Sequence, residues 1–255
     1  MVPMMLRLPR LVVMFLVTAG CVCCLSLPGP ARPQLRLGER SPALVLGGRG
    51  GEVVLRCSAS GSPLPRVAWY RDSLFLAHLE DQEDLQEDGQ ASLGETVAQL
   101  VLSCLREEDG GQYECRAVSG GQQLSAVTQL RVERRERRAR RDQAEPCTEP
   151  ARPQISEWSP LVMVEQGSSI TLPCRLGRPG HNTTMTITTS WRDSRGQEVV
   201  GRLGGRLRVS QSGDLEISGV NWADMGQYTC TVSNRAGTAS IQTFIYPLAS
   251  RARGI

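Results

Sequence analysis

The chain has 255 residues, with 29 Lys plus Arg against 26 Asp plus Glu and a net charge of +3. That balance is too small to argue for a nucleic-acid partner, and the two histidines leave little for acid–base or zinc chemistry. The length suits two domains of roughly 100 residues each behind a short leader.

Arg7 and Arg10 make a positive start, and the apolar run from Leu11 to Ala19 is too short to span a bilayer. Residues 1–26 therefore read as a secretory signal cut after Ser26. The rival is a bacterial lipoprotein site at Cys21, but Thr18 stands where a Leu is wanted. Of nine cysteines, Cys21, Cys23 and Cys24 leave with the leader, and the remaining six suit three bridges in an oxidising compartment. No later stretch approaches the roughly 18–20 apolar residues of a membrane span. The tail from Leu248 to Ile255 lacks the hydrophobic run of a lipid-anchor signal. The expectation is an extracellular protein, secreted and free in solution.

A first domain is expected over residues 34–132. Val53, Leu55, Cys57 and Ala59 alternate with polar residues as a half-buried strand requires. Trp69 follows Cys57 by twelve residues, and a further strand is expected from Val97 to Leu105 with Leu100 and Leu102 inward. DGGQYEC, Asp109 to Cys115, comes next, and Ala126 to Val132 closes the domain. Between Arg71 and Leu93 lie Glu80, Asp81, Glu83, Asp84, Glu87 and Asp88. Their spacing matches no calcium loop, so a solvated connection is the plain reading, with a calcium ion or basic partner as the alternative.

Residues 133–152 read as a linker. Arg134, Arg135, Arg137, Arg138, Arg140 and Arg141 are candidates for contact with a heparan-type polysaccharide or another polyanion. A connector of Arg and Glu without a ligand is the plainer alternative. Arg138-Ala139-Arg140-Arg141 also resembles a furin-type processing site.

The second domain is expected over residues 153–248. Ile170, Leu172 and Cys174 face inward, and Pro173 removes a ladder hydrogen bond, so the strand should bend or lose its pairing there. Trp191 comes seventeen residues after Cys174, which leaves room for an insertion carrying the N-glycosylation acceptor Asn182-Thr183-Thr184. Ser212-Gly213-Asp214 reads as a turn before inward Leu215 and Ile217, and Asn234 with Gly237 as another. DMGQYTC, Asp224 to Cys230, repeats the earlier motif, with Arg206 or Arg208 as the ion-pair partner of Asp224.

Two copies of one motif, each with an upstream Cys and Trp, make a tandem repeat. A Tyr two residues before the second Cys, folding its hydroxyl back onto the preceding corner, is a mark of immunoglobulin sandwiches. Both halves resemble the intermediate set of that fold, so an all-β chain of two tandem immunoglobulin-like sandwiches is expected. The core bridges are then Cys57–Cys115 and Cys174–Cys230. Alignment of the repeats on Asp109 and Asp224 sets Cys104 opposite Gly219, facing outward. Its partner is Cys147 or a cysteine of another chain.

Chemistry is sparse. His78 and His181 fall in loops of different domains without triad-like or zinc-like companions. No Gly-rich loop leads from a strand into a helix. The reading is a protein that is not an enzyme and carries no cofactor or metal.

Certain residues exceed what the fold demands: TLPCR (Thr171 to Arg175), GDLEIS (Gly213 to Ser218), WADMGQYTC (Trp222 to Cys230) and TFIYP (Thr243 to Pro247). Through them the chain resembles a family of secreted insect proteins whose two immunoglobulin domains bind insulin-like peptides. The resemblance is good over residues 153–248 and loose over 50–132. Cys104, Cys147, the Arg-rich linker and the glycosylated insertion depart from it. It implies a protein that withholds an insulin-like hormone from its receptor. Trp222, Phe244 and Tyr246 are the candidate contacts, because they and Trp158 are aromatic residues that the cores do not claim. The alternative is a cell-adhesion or axon-guidance factor held in the matrix by the basic linker.

Overall fold

The computed structural model describes residues 34–72, 74–76, 92–133, 152–177, 186–200 and 205–250. The first sandwich comprises β1 (Gln34–Arg40), β2 (Leu44–Gly48), β3 (Glu52–Ser62), β4 (Arg66–Arg71), β5 (Leu74–Phe75), β6 (Ser92–Ser103), β7 (Gly111–Ser119) and β8 (Gln122–Glu133). The second comprises β9 (Ile155–Glu165), β10 (Ile170–Leu172), β11 (Cys174–Leu176), β12 (Thr188–Arg192), β13 (Leu207–Val209), β14 (Leu215–Ile217), β15 (Gly226–Asn234) and β16 (Gly237–Leu248). The helical pieces among the described residues are two 3₁₀ turns, Glu107–Asp109 and Trp222–Asp224. No helix there is long and apolar enough to cross a membrane.

Alternation drives each core. Val53, Leu55, Cys57 and Ala59 on β3 are all buried, facing Trp69, Tyr113, Cys115, Ala117 and Leu130. Tyr228, Cys230 and Val232 do the same on β15, against Leu172, Trp191 and Leu215. The bridges Cys57–Cys115 and Cys174–Cys230 are present, separated by 58 and 56 residues in sequence. Closing loops of that size stabilises a domain by roughly 2–5 kcal/mol. Each buried indole satisfies its N–H: Trp69 donates to the Ala98 carbonyl at 3.4 Å and Trp191 to the Gly213 carbonyl at 2.8 Å.

The corner motifs behave as the repeat implied. The Tyr113 hydroxyl donates to the Asp109 carbonyl at 2.7 Å, and that of Tyr228 to the Asp224 carbonyl at 3.1 Å. Arg206 is the partner of Asp224, whereas Arg208 binds Glu216 across its own hairpin. Cys104 and Gly219 adopt the same left-handed turn, with φ of 57° and 59°. That is a cost Gly avoids and Cys104 bears. Pro173 divides its strand, so that β10 pairs with β14 while β11 crosses to β9.

The sheets depart from two independent sandwiches. One sheet runs β2-β8-β7-β4-β5 in the first domain, and another β10-β14-β13 in the second. The remaining eight strands form a single sheet through both domains, in the order β1-β3-β6-β9-β16-β15-β12 with β11 on β9. The strand expected from Val97 begins at Ser92, and its added residues meet the second domain: Ser92 lies opposite Val164, Leu93 opposite Met163 and Gly94 opposite Val162. β9 also pairs in parallel with β16, from Leu161–Phe244 to Glu165–Leu248.

Polar groups lock this seam. Glu157, 3% exposed, accepts the Val67 N–H at 3.1 Å and lies 3.6 Å from the Arg175 guanidinium, which reaches Asp214 at 3.2 Å. The Thr96 hydroxyl donates to the Pro65 carbonyl at 2.6 Å and lies 3.1 Å from that of Ser159. The Gln99 amide reaches the Ile155 carbonyl at 2.8 Å. Leu64 of the first domain packs against the second core. Both sandwiches fall within one compact unit.

Burial, reinforced by the charge of Asp224, pushes the Tyr228 hydroxyl up to about 12, and burial raises Tyr113 as well, opposed by Arg71. A folded-state pKa above the unfolded value favours the protonated native form. The stability contributed by Tyr228 is therefore complete below about pH 10 and is lost as the pH rises toward 12, and that of Tyr113 is lost in the same direction. Alkaline titration should show phenolate absorbance and near-ultraviolet circular dichroism changing together over that window.

Candidate functional site

Directly opposed residues in a ladder share a face. Val162 and Val164, buried in the second core, oppose Gly94 and the buried Ser92. Over this stretch both cores therefore lie on one side of the shared sheet, and its other side meets solvent.

That outer side is apolar at the seam. Leu93 on β6, Met163 on β9 and Tyr246 on β16 form one cross-strand row, and Leu161 and Phe244 form the next. Leu93 is 45% exposed, Leu161 39%, Phe244 40% and Tyr246 41%. Trp222, 50% exposed on the turn before β15, meets Tyr246 edge to face with ring centroids 6.3 Å apart. Such a contact contributes about 0.5–1.5 kcal/mol beyond burial and fixes both rings. Exposed Met225 follows on the same corner, and Glu95 and Gln227 flank the strip in register with Leu161 and Phe244.

Trp222, Phe244 and Tyr246, proposed from sequence as contacts, thus occur together. Trp158 does not join them; it is half buried against the second core. Leu93, Leu161 and Met163 were missed. The unbroken apolar run Leu161–Val164 was the available signal, since a strand apolar on both sides is either buried twice or carries an apolar outer face. Leu93 offered none, because its role comes from a strand of the other domain. Cys104 is disulfide-bonded. Cys147, Asn182, Arg134, Arg135, Arg137, Arg138, Arg140 and Arg141 lie outside the described residues, as do the acidic residues Glu80 to Asp88. Among the described residues no cluster of His, Cys, Asp or Glu could hold a metal ion.

The family model for the immunoglobulin domain matches residues 32–119 and 152–234. The chain belongs to the immunoglobulin-domain family. That is a family of binding modules, and the chain is not an enzyme. Its relatives include the neural/ectodermal development factor IMP-L2 of Drosophila melanogaster, 27% identical over 217 residues, covering 84% of this chain and 77% of the relative. The zwei Ig domain protein zig-4 of Caenorhabditis elegans is 26% identical over 232 residues, covering 88% and 83%. The crystal structure of IMP-L2 superimposes with a TM-score of 0.63 at 25% identity, over 84% of this chain and 94% of that one.

Half-exposed aromatics of this immunoglobulin chain should be dispensable for folding. Trp222→Ala and Phe244→Ala should each cost about 1 kcal/mol in urea unfolding. Trp191→Ala in the core should cost about 3–5 kcal/mol.

Proposed function

We propose that this chain is a secreted binding protein that captures an insulin-like peptide on the outer face of its shared sheet and so dampens insulin-type signalling. The observation that carries this reading is the apolar strip of Leu93, Leu161, Met163, Phe244, Tyr246 and Trp222, two of whose members are tied edge to face. It is supported by the likeness to IMP-L2 across both domains and by the sequence resemblance to two-domain binders of such hormones. Aromatic anchors in a flat apolar patch are the usual hot spots of an interface. A hormone that shows its receptor an apolar surface is held off by covering that surface.

Calorimetry with purified insulin-like peptides tests it. Binding should show a negative ΔCp from apolar burial. Phe244→Ala and Trp222→Ala should weaken it by about tenfold or more, the loss of 1–2 kcal/mol expected of a central anchor. Absence of heat and of any ΔCp for every peptide tried would leave the adhesion reading in its place.

The Arg-rich stretch favours that second reading, a cell-adhesion or guidance factor held in the matrix. Exposed cations act over a Debye length of about 8 Å at physiological salt, so retention on heparin should fade steeply above that ionic strength. Replacement of Arg137, Arg138, Arg140 and Arg141 by Ser should bring elution forward; unchanged elution would reduce the stretch to a spacer.

A further inference from the structure

We propose that the second sandwich is held on the first by the seam itself, so that cutting the peptide between the domains leaves a stable two-chain complex. β9 has neighbours on both edges, β6 and β16. In the second domain alone its β6-facing edge would be a row of unpaired N–H and C=O groups. In the first domain alone β6 would be left open on its outer edge. Each half is thus the edge cover of the other, and open edges of this kind pair avidly.

Among the described residues the bonds across the seam join the two sandwiches directly. They include the ladder from Ser92–Val164 to Ala98–Glu157, the Glu157 carboxylate on the Val67 N–H, the Gln99 amide on the Ile155 carbonyl, the Thr96 and Ser159 hydroxyls, and Leu64 against the second core. The fit is close as well. A Cβ on Gly94 would fall 2.5 Å from the Leu161 carbonyl oxygen and 2.7 Å from Leu64 Cδ1. Both core disulfides lie within single domains, Cys57–Cys115 and Cys174–Cys230, so neither tethers the halves. The peptide then serves to raise the local concentration during folding, after which the complex no longer requires it.

The test is a site for a sequence-specific protease inserted after Thr148. A cut there keeps Cys104 and Cys147 on one fragment, so no bridge between them can join the halves. The cut protein, at micromolar concentration without denaturant, should elute from a sizing column as one species of unchanged mass and give two bands on a denaturing gel. Amide exchange over Ser92–Ala98 and Glu157–Val164, the two stretches paired across the seam, should stay as slow as before cutting. Separation into two halves, or loss of that protection, overturns the proposal. Gly94→Val in the same background should release the halves on cutting; persistence of that cut complex would also overturn it, because the ladder would not be what holds them. None of these outcomes depends on a hormone, so the readout is separate from that of ligand binding.

Discussion

Strand β9 pairs with β6 on one edge and β16 on the other, and most of the molecule's character follows from that. A tandem immunoglobulin chain ordinarily joins its domains through a small contact that permits relative motion. Here the joint is a hydrogen-bonded ladder with a buried carboxylate at one end. Burying Glu157 is tolerable because the Val67 N–H and the Arg175 guanidinium answer its charge. Ladder and carboxylate together make the two sandwiches one body.

Joining the sheets also creates a surface that neither domain owns. Leu93 belongs to the first domain, and Leu161, Met163, Phe244 and Tyr246 to the second. A soluble sandwich normally keeps the solvent side of its sheets polar. This one places aliphatic and aromatic side chains across three adjacent strands, with Trp222 braced against Tyr246. Chains that carry such a strip in water generally do so because something covers it.

The corner at Trp222–Asp224 links the internal architecture to that surface. The Asp224 carboxylate receives the Asn221 N–H at 2.8 Å and an Arg206 guanidinium, and its carbonyl receives the Tyr228 hydroxyl. The turn is thereby held from three directions, and the indole it carries is displayed on a rigid support. In the first domain the equivalent turn, Glu107–Asp109, carries no aromatic residue. The two repeats have the same corner geometry, and only one of them uses it to present a side chain.

Periodicity and motif spacing, which are local properties, determined much of this protein from sequence alone. The all-β class, the tyrosine corners, the break at Pro173 and the spare aromatics of the second domain follow from residues close in the chain, and both core disulfides, 58 and 56 residues apart, and the equivalence of Cys104 with Gly219 follow from the repetition of one motif. The shared sheet does not. Its pairing joins Ser92–Ala98 to Glu157–Val164 across about sixty residues, and nothing in either stretch names the other. The start of β6 was hidden because Ser92, Leu93 and Gly94 follow an acidic run and lack strong strand propensity; they are extended because β9 lies beside them. Only the tertiary structure could decide that Leu93 belongs with Phe244 and Tyr246, since a face shared by two domains is set by strand register between them and leaves no periodic trace in either sequence.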